Sequence, residues 1–585
     1  MGRRTTGKRS STGKREPLSS GWFLFGLVWR EKIKRRDGNV RIRIHFIWRR
    51  ILLVLGVLTL VGWLSCGTAL FFYFKFYRGY DEVSWTKMLV LPLRMDEHRR
   101  EMGEFFIEKG TREIQAGEMR SGLHKLRSGL ARAPANAEAR MLLSRIFVGG
   151  LKDNQLAIKV LEDGLRFSHR DPGFLERDYL ELLIFLLSRS GRDAEVPALV
   201  DEVSEKVEDP LLRAKLSVSA TAAEIRLGRL DDAYSRLERA NLRNSPEGSY
   251  LLSEILWSGG MDRFALTTLR NALSQIPASD TLANSLFFKL GELERWDELR
   301  ALSSQQRRAA GSSFASWSWY LVSLEETGEE DKILPTVREM LERFPNRRSS
   351  SELLAFAARH GHPEVAELVL ERVPEENFER LQAVFLGLAH LRNGFPERTL
   401  DLLGRNAEEE GEEKERSESG AVVAGVRALA LMKQGEVDSA KADFKQFFQS
   451  SRHGQSDFLV LAEAFEDEGF SEEAIRILKE GTEKFPRSHV ILRRLLELGG
   501  DRLDNEEYVL YLSDLLEVRS PRRPELEGAA EILASDRFLF VEGRADLFYT
   551  IDERLSRMNE FREKLFRVVP NNFSRLYSNP INQGI

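Results

Sequence analysis

Two short stretches of the chain carry residue types that can do chemistry, and neither has the spacing that the chemistry needs. GKRSSTGKR, Gly7 to Arg15, has the glycines and lysine of a phosphate-binding loop. One residue too many separates its glycines, and Arg15 stands where a Ser or Thr must reach Mg²⁺. His360 and His362 flank a glycine in RHGHP with no further ligand residues, which favours a solvated turn over a metal site.

Other catalytic patterns are missing. The sequence contains no GxGxxG, HExxH or GxSxG motif. Asp and Glu number 91 of 585 residues and fall on predicted solvent faces, so they give no acid–base pair. Cys66 is the single cysteine, which excludes disulfides and thiolate metal sites elsewhere. We therefore expect no catalytic residues, no cofactor and no metal, and a protein that is not an enzyme.

One element stands apart from the rest of the chain. Ile51–Phe74 is a run of 24 residues without a charge. As a helix it would be about 36 Å long, enough to cross a hydrocarbon core of about 30 Å. A buried core helix is the alternative, but apolar runs of this length are unusual in soluble folds. Fifty residues precede the run and no clean cleavage site follows, so it predicts an uncleaved signal anchor.

The charges beside this run predict its orientation. Residues 31–50 carry eight Lys and Arg, and residues 75–94 carry four. Because the more positive flank stays inside, the N-terminus is expected in the cytoplasm. The larger C-terminal part would then be extracytoplasmic, which means periplasmic in a bacterium.

The N-terminal arm differs from the body in charge. Residues 1–50 carry a net +12, which leaves −16 for residues 51–585, so we expect no nucleic-acid binding by the body. We expect the arm to fix topology; contact with anionic lipid or nucleic acid is the alternative. Its first 16 residues should be unstructured. Trp22–Trp29 is too short to span and could lie in the membrane interface, and residues 39–48 alternate like a strand but could equally form an interfacial helix.

The stretch GMDRFALTTLRNALSQIP, Gly260 to Pro277, belongs to a repeat. Small residues follow the glycine after five and twelve positions, and proline follows after seventeen. Gly117 and Gly469 begin the same pattern, and Gly228 does so with its proline one residue late. From 260, steps of 33 or 34 with one step of 41 reach further markers: Glu294, Gly328, Gly361, Gly394, Gly435 and Gly469. The long step holds a polar insertion, Glu408 to Glu418, expected to be a loop. A period near 34 predicts a helical solenoid.

Each position of the repeat has a physical role. The marker glycine ends a first helix, where a positive φ is favoured. Small residues on the second helix let the two helices approach, and an apolar residue nine after the marker fills their shared core. These positions resemble those of the tetratricopeptide repeat (TPR) family, including Trp317 eleven before Gly328. The resemblance implies an all-α, right-handed superhelical solenoid of antiparallel helix pairs. The region around Gly191 is off period, with Pro197 expected inside its second helix.

The predicted organisation has six parts. They are a basic cytoplasmic arm, a transmembrane helix, a juxtamembrane linker, the TPR-like solenoid, C-terminal helices that form a degenerate repeat and cap, and a disordered tail. Their bounds are residues 1–50, 51–74, 75–102, 103–500, 501–575 and 576–585.

Resemblance to TPR proteins also implies where a partner would bind. The family's groove-facing positions, lined mainly by first helices, correspond here to Glu247, Tyr250, Glu254, Trp257, Asn284, Phe288, Ser318 and Val322. Aromatic residues with polar neighbours suit a protein or peptide partner, although Tyr250 and Trp257 could instead pack inside the solenoid. We expect a single-pass scaffold in a membrane or envelope assembly. The alternatives are an adaptor that recruits a cytoplasmic partner, or an enzyme acting on a polymer or glycan in the groove.

Overall fold

A computed structural model describes residues 19–23, 27–34, 40–80, 83–151, 153–308, 313–372, 380–408, 418–450 and 453–568. The expectations for residues 1–16, for most of the insertion at 408–418 and for the tail at 576–585 lie outside these ranges. The chain forms two compact units, Met1–Phe174 and Leu175–Ile585, which are described separately.

The first unit begins with a small antiparallel sheet in the order β1-β2-β3. Its strands are β1 (Ser19–Phe23), β2 (Val28–Lys34) and β3 (Val40–Phe46). Residues 39–48 alternate in a way that left both a strand and an interfacial helix possible. They form strand β3 over most of their length, as a two-residue period favours. Helix α1 (Trp48–Phe72) follows after one residue and continues as a π-helical turn, Tyr73–Tyr77.

Helix α1 and its continuation are long and apolar enough to cross a membrane. Trp48–Tyr77 spans 30 residues, and its most apolar 18-residue window has a mean hydropathy of 2.1 and is only 6% buried. At 1.5 Å per residue the helix is about 45 Å long, longer than a hydrocarbon core of about 30 Å. Its far end packs on a short helix, where the Trp85 indole donates a hydrogen bond to the Thr68 hydroxyl at 2.9 Å.

The remaining helices pack as consecutive antiparallel pairs. In the first unit they are α2 (Trp85–Leu89), α3 (Met95–Gln115), α4 (Met119–Leu130), α5 (Ala137–Gly149) and α6 (Asn154–Leu165). Residues 75–102 therefore hold α2 and the start of α3.

The second unit continues the helix pairs. Its helices are α7 (Arg177–Arg189), α8 (Val196–Ser204), α9 (Pro210–Arg226), α10 (Leu230–Arg239), α11 (Pro246–Ser258), α12 (Asp262–Gln275), α13 (Asp280–Glu292), α14 (Trp296–Arg308), α15 (Phe314–Glu326), α16 (Ile333–Arg343), α17 (Arg347–His360), α18 (Pro363–Leu370), α19 (Arg380–Arg392), α20 (Pro396–Glu408), α21 (Glu418–Gln434), α22 (Val437–Gln449), α23 (Gln455–Asp467), α24 (Ser471–Lys484), α25 (His489–Gly499), α26 (Asn505–Val518), α27 (Arg523–Ala534) and α28 (Arg544–Val568).

The turns between paired helices confirm the predicted solenoid of helix pairs. A residue with positive φ stands at every marker position: Gly117, Gly228, Gly260, Glu294, Gly328, Gly361, Gly394, Gly435 and Gly469. Glu294 has the same conformation as the glycines, with φ at 54°. The conformation is therefore set by the repeat, because glutamate does not favour the left-handed region by itself.

The off-period pair α7/α8 follows the same construction. Gly191 has φ at 67°. Pro197 lies in the first turn of α8 and not inside the helix as expected. Proline is tolerated there because the first amides of a helix have no intrahelical partner.

Small residues let paired helices approach closely. A Cβ on Gly122 of α4 would lie 2.7 Å from the Gly110 carbonyl oxygen of α3, and a Cβ on Gly110 would lie 2.8 Å from the Gly122 carbonyl oxygen. In the second unit the corresponding small residues, Ala233, Ala265 and Ala474, are fully buried. The apolar residues four positions later complete the shared core and are also fully buried: Leu237, Leu269 and Leu478.

Glutamate at the marker position of α13/α14 is expected to cost stability. Glu294→Gly should stabilise this pair by about 0.5–1 kcal/mol, because glycine relieves the left-handed strain but adds freedom to the unfolded chain. Native-state hydrogen exchange of α13 and α14 measures the change in local opening free energy.

Ala301→Gly is the matched control. Ala301 is exposed in the middle of α14, so the same gain of a glycine should there destabilise by about 1 kcal/mol. Equal destabilisation by both variants would show that the conformation of Glu294 carries no strain.

Candidate partner-binding surface

The eight residues predicted to face a groove lie on three consecutive first helices. Glu247, Asn284 and Phe288 are exposed, and Trp257 is buried, with 4% of its surface accessible. The others are half-buried: Tyr250, Glu254, Ser318 and Val322. On α11 only Trp257 is buried, and we call its surroundings the closed region; we call α13 and α15, where no residue of the set is buried, the more open region.

The closed region is covered by the chain's own C-terminal segment. The Arg522 guanidinium, just before α27, lies 3.5 Å from the centroid of the Trp257 ring. It also donates to the Asp262 carboxylate at 2.9 Å and to the Trp257 carbonyl at 3.4 Å. Trp257 therefore already has a cationic partner within the molecule.

A buried lysine packs beside the same region. Lys289 of α13 is 1% exposed and pairs with the Glu254 carboxylate, while its ammonium donates to the Ser285 hydroxyl at 2.9 Å. Burial lowers the pKa of Lys289, and Glu254 opposes that shift. A lysine beside a serine can activate a nucleophile. Here the ion pair with Glu254 and the burial of Ser285 assign these groups to packing.

Further contacts extend this covering along the repeats. We call residues 519–523 and the groups they touch the closing seam. The Ser520 amide donates to the Arg226 carbonyl at 2.7 Å, and Arg519 donates to His489 Nε2 at 2.7 Å. Burial, reinforced by the Arg519 charge, lowers the pKa of His489 to about 4, so its imidazole is neutral near pH 7 and can accept this bond.

The more open region contains a cavity of about 280 Å³. Ser318, Leu321 and Val322 of α15 form part of its wall, and the other lining residues come from three more first helices, α17, α19 and α23. Its apolar surface includes Phe356, Phe385 and Val460. At its rim Arg359 pairs with Glu463 at 3.1 Å. Two predicted groove residues thus meet in one concave site.

The histidines of RHGHP are packed and not solvated as expected. His362 Nε2 lies 2.6 Å from a Glu325 carboxylate oxygen, and His360 lies against the Phe356 ring, with centroids 4.6 Å apart. Burial, with nearby Arg359, lowers the pKa of His360 to about 4. In the part of the chain that the structure describes, no group of three or more His, Cys, Asp or Glu side chains could hold a metal ion.

Sequence reasoning did not find Arg522 or Lys289. Arg522 lies 265 residues beyond Trp257, outside any repeat period, so only the return of the C-terminal helices brings them together. Lys289 is a charged residue at a buried helix position. Periodicity alone would place a charged residue on the solvent-facing side of the helix.

Comparison with known proteins gives little further information. No family model matches the chain, and no curated protein matches it. Among solved structures it is similar to a chain in the "Crystal structure of APC/C hetero-tetramer Cut9-Hcn1", at 10% identity and a TM-score of 0.21, with 77% of this chain and 96% of that chain covered. A likeness at this TM-score supports neither fold nor function. The TPR-like description rests on the helix pairs and their turns.

Removal of the Arg522 guanidinium is expected to loosen the closing seam. Arg522→Ala should lower the local stability of α11 and α12 by about 2 kcal/mol, because a desolvated cation–π contact and a charge-assisted hydrogen bond are lost together. Hydrogen exchange of these two helices measures the effect. Arg522→Lys should restore it only in part, since an ammonium lacks the planar fork of a guanidinium.

Arg567→Ala is the control for loss of an arginine. Arg567 is 81% exposed and pairs with Glu563 of its own helix, so the change should stay below about 0.5 kcal/mol. Unaltered exchange of α11 and α12 in Arg522→Ala would mean that the seam does not depend on this side chain.

Proposed function

We propose that this protein is a single-pass, membrane-anchored scaffold that binds a protein partner on its first helices, within a membrane or envelope assembly. The observation that carries the proposal is the concave site at Ser318 and Val322. It is formed by first helices alone, it is largely apolar, and it stays open while the neighbouring Trp257 region is closed.

The size of the site favours a side chain of a protein partner over a free small molecule. Sites for drug-sized ligands measure about 300–1,000 Å³, so 280 Å³ lies just below that range. A large apolar side chain would enter it, as anchor residues do at protein interfaces. Phe288, 45% exposed on the preceding first helix, would extend the apolar contact along the partner.

Membrane anchoring in this proposal rests on α1. Its side chains are largely exposed, although they are apolar, which lipid would explain. The proposed topology is supported by the flanking charges, because eight positive charges in residues 31–50 against four in residues 75–94 favour a cytoplasmic N-terminus and a solenoid on the opposite side.

Partner binding is tested by cross-linking from the proposed site. A photoreactive residue at Phe288, introduced into the full chain in its own cells, is expected to capture a discrete protein. Val322→Arg should abolish that adduct, because it places a longer, charged side chain in a largely apolar site and weakens binding at least tenfold.

Two comparisons make this result specific. Ala301→Arg, on the exposed side of second helix α14, should leave the adduct intact. Circular dichroism and hydrogen exchange check that Val322→Arg remains folded. If the adduct survives in the folded Val322→Arg protein, the partner does not use this site.

Sidedness is tested by labelling a single engineered cysteine in intact cells. Asp297, whose side chain is 94% exposed, is replaced by cysteine in a Cys66→Ser background. A membrane-impermeant maleimide should label it without permeabilisation, because the solenoid is proposed to be extracytoplasmic. Protection until the membrane is opened would reverse the topology and favour an adaptor for a cytoplasmic partner.

A further inference from the structure

The N-terminal sheet has two chemically different faces. Cross-strand partners share a face, and the pairs of β2 with β3 include Val28 with Phe46, Arg30 with Ile44 and Lys32 with Ile42. These six side chains therefore lie together. Trp29 and Glu31 lie on the opposite face with His45, whose imidazole is 3.6 Å from the Glu31 carboxylate.

The first of these faces is apolar but uncovered. Ile42, Ile44 and Phe46 are 46%, 55% and 56% exposed. Three large apolar side chains in a row are unusual on a surface that meets only water, and here two basic residues of the same face accompany them. This combination of apolar and cationic groups is typical of surfaces that lie at a membrane interface.

Continuity with α1 indicates what covers this face. Only Ile47 separates Phe46, the last residue of β3, from Trp48, the first residue of the helix. Two residues span at most about 7 Å, so the end of the strand must lie near the point where α1 enters the membrane. The Phe46 and Trp48 rings are 6.1 Å apart, and tryptophan is enriched at membrane interfaces.

We propose that the sheet lies flat on the bilayer, with the Ile42, Ile44 and Phe46 face in the lipid interface and Arg30 and Lys32 among anionic headgroups. This inference rests on the proposed anchoring by α1. An upright sheet would instead carry Ile42 about 14 Å away from Phe46 along the strand and leave it in water. The flat arrangement covers the whole apolar row, whereas the upright one covers only its Phe46 end.

Depth measurements on the full chain distinguish the two arrangements. Single cysteines replace Ile42, Ile44, Phe46 or His45 in a Cys66→Ser background. Each variant is spin-labelled and reconstituted in bilayers of phosphatidylcholine and phosphatidylglycerol. Collision with oxygen, which concentrates in lipid, is compared with collision with a water-soluble nickel complex.

The labels at Ile42, Ile44 and Phe46 are expected to be oxygen-rich and at nearly equal depth. His45 is the matched control, because it lies on the same strand with similar exposure, 49%, but on the opposite face. The label at His45 should collide with the nickel complex several-fold more often than the labels at Ile42, Ile44 and Phe46 do. A depth that falls steadily from Phe46 to Ile42 would show an upright sheet and overturn the proposal.

A label at Leu58, 65% exposed in α1, separates failure of this inference from failure of the anchor. A label at Leu58 that is not in lipid would refute anchoring itself. If Leu58 is deep in lipid but Ile42 is aqueous, only the flat sheet is wrong. Protection of Ile42 from both colliding reagents would mean that protein, such as a second copy, covers this face.

Discussion

The close approach of two helices at each repeat is the constraint on which the rest of the structure depends. Gly110 and Gly122 show it most directly, because a Cβ on either would collide with the backbone of the other helix. The turn that joins such helices needs a residue with positive φ, and the repeat imposes this conformation even on Glu294. Each pair taken alone still exposes an apolar face, which only the next pair can bury. Stacking of pairs follows from that requirement.

Stacking also determines how much first-helix surface remains for a partner. Because the C-terminal helices return to the earlier repeats, the region around Trp257 is occupied by Arg522 and supported by Lys289. Charged groups at this depth need partners within the protein, since leaving one unpaired would cost several kcal/mol. Arg522 and Lys289 accordingly pair with Asp262 and Glu254. The cavity beside Val322 lies outside these contacts and keeps an accessible apolar wall.

Much of the fold was predictable because it is local and repeated. Marker residues, small residues and buried apolar residues recur at fixed separations, so each copy supports the interpretation of the others. The predicted second-helix position of Pro197 was wrong because a short turn precedes α8 and places the proline in its first turn. The groove positions on α11, α13 and α15 came from the resemblance to TPR proteins, and their role in partner binding stays a prediction.

The helix pairs, the positive-φ turns and the apolar helix α1 follow from local sequence, because each depends on residues near one another in the chain. Which predicted groove positions stay accessible depends instead on contacts between distant parts of the folded chain. Trp257 and Val322 are both predicted groove positions on first helices, yet one is covered and the other lines a cavity. The difference comes from Arg522, 265 residues after Trp257, which only the folded chain brings to its ring. Periodicity describes neighbours along a solenoid, and it contains no information about contacts between distant repeats.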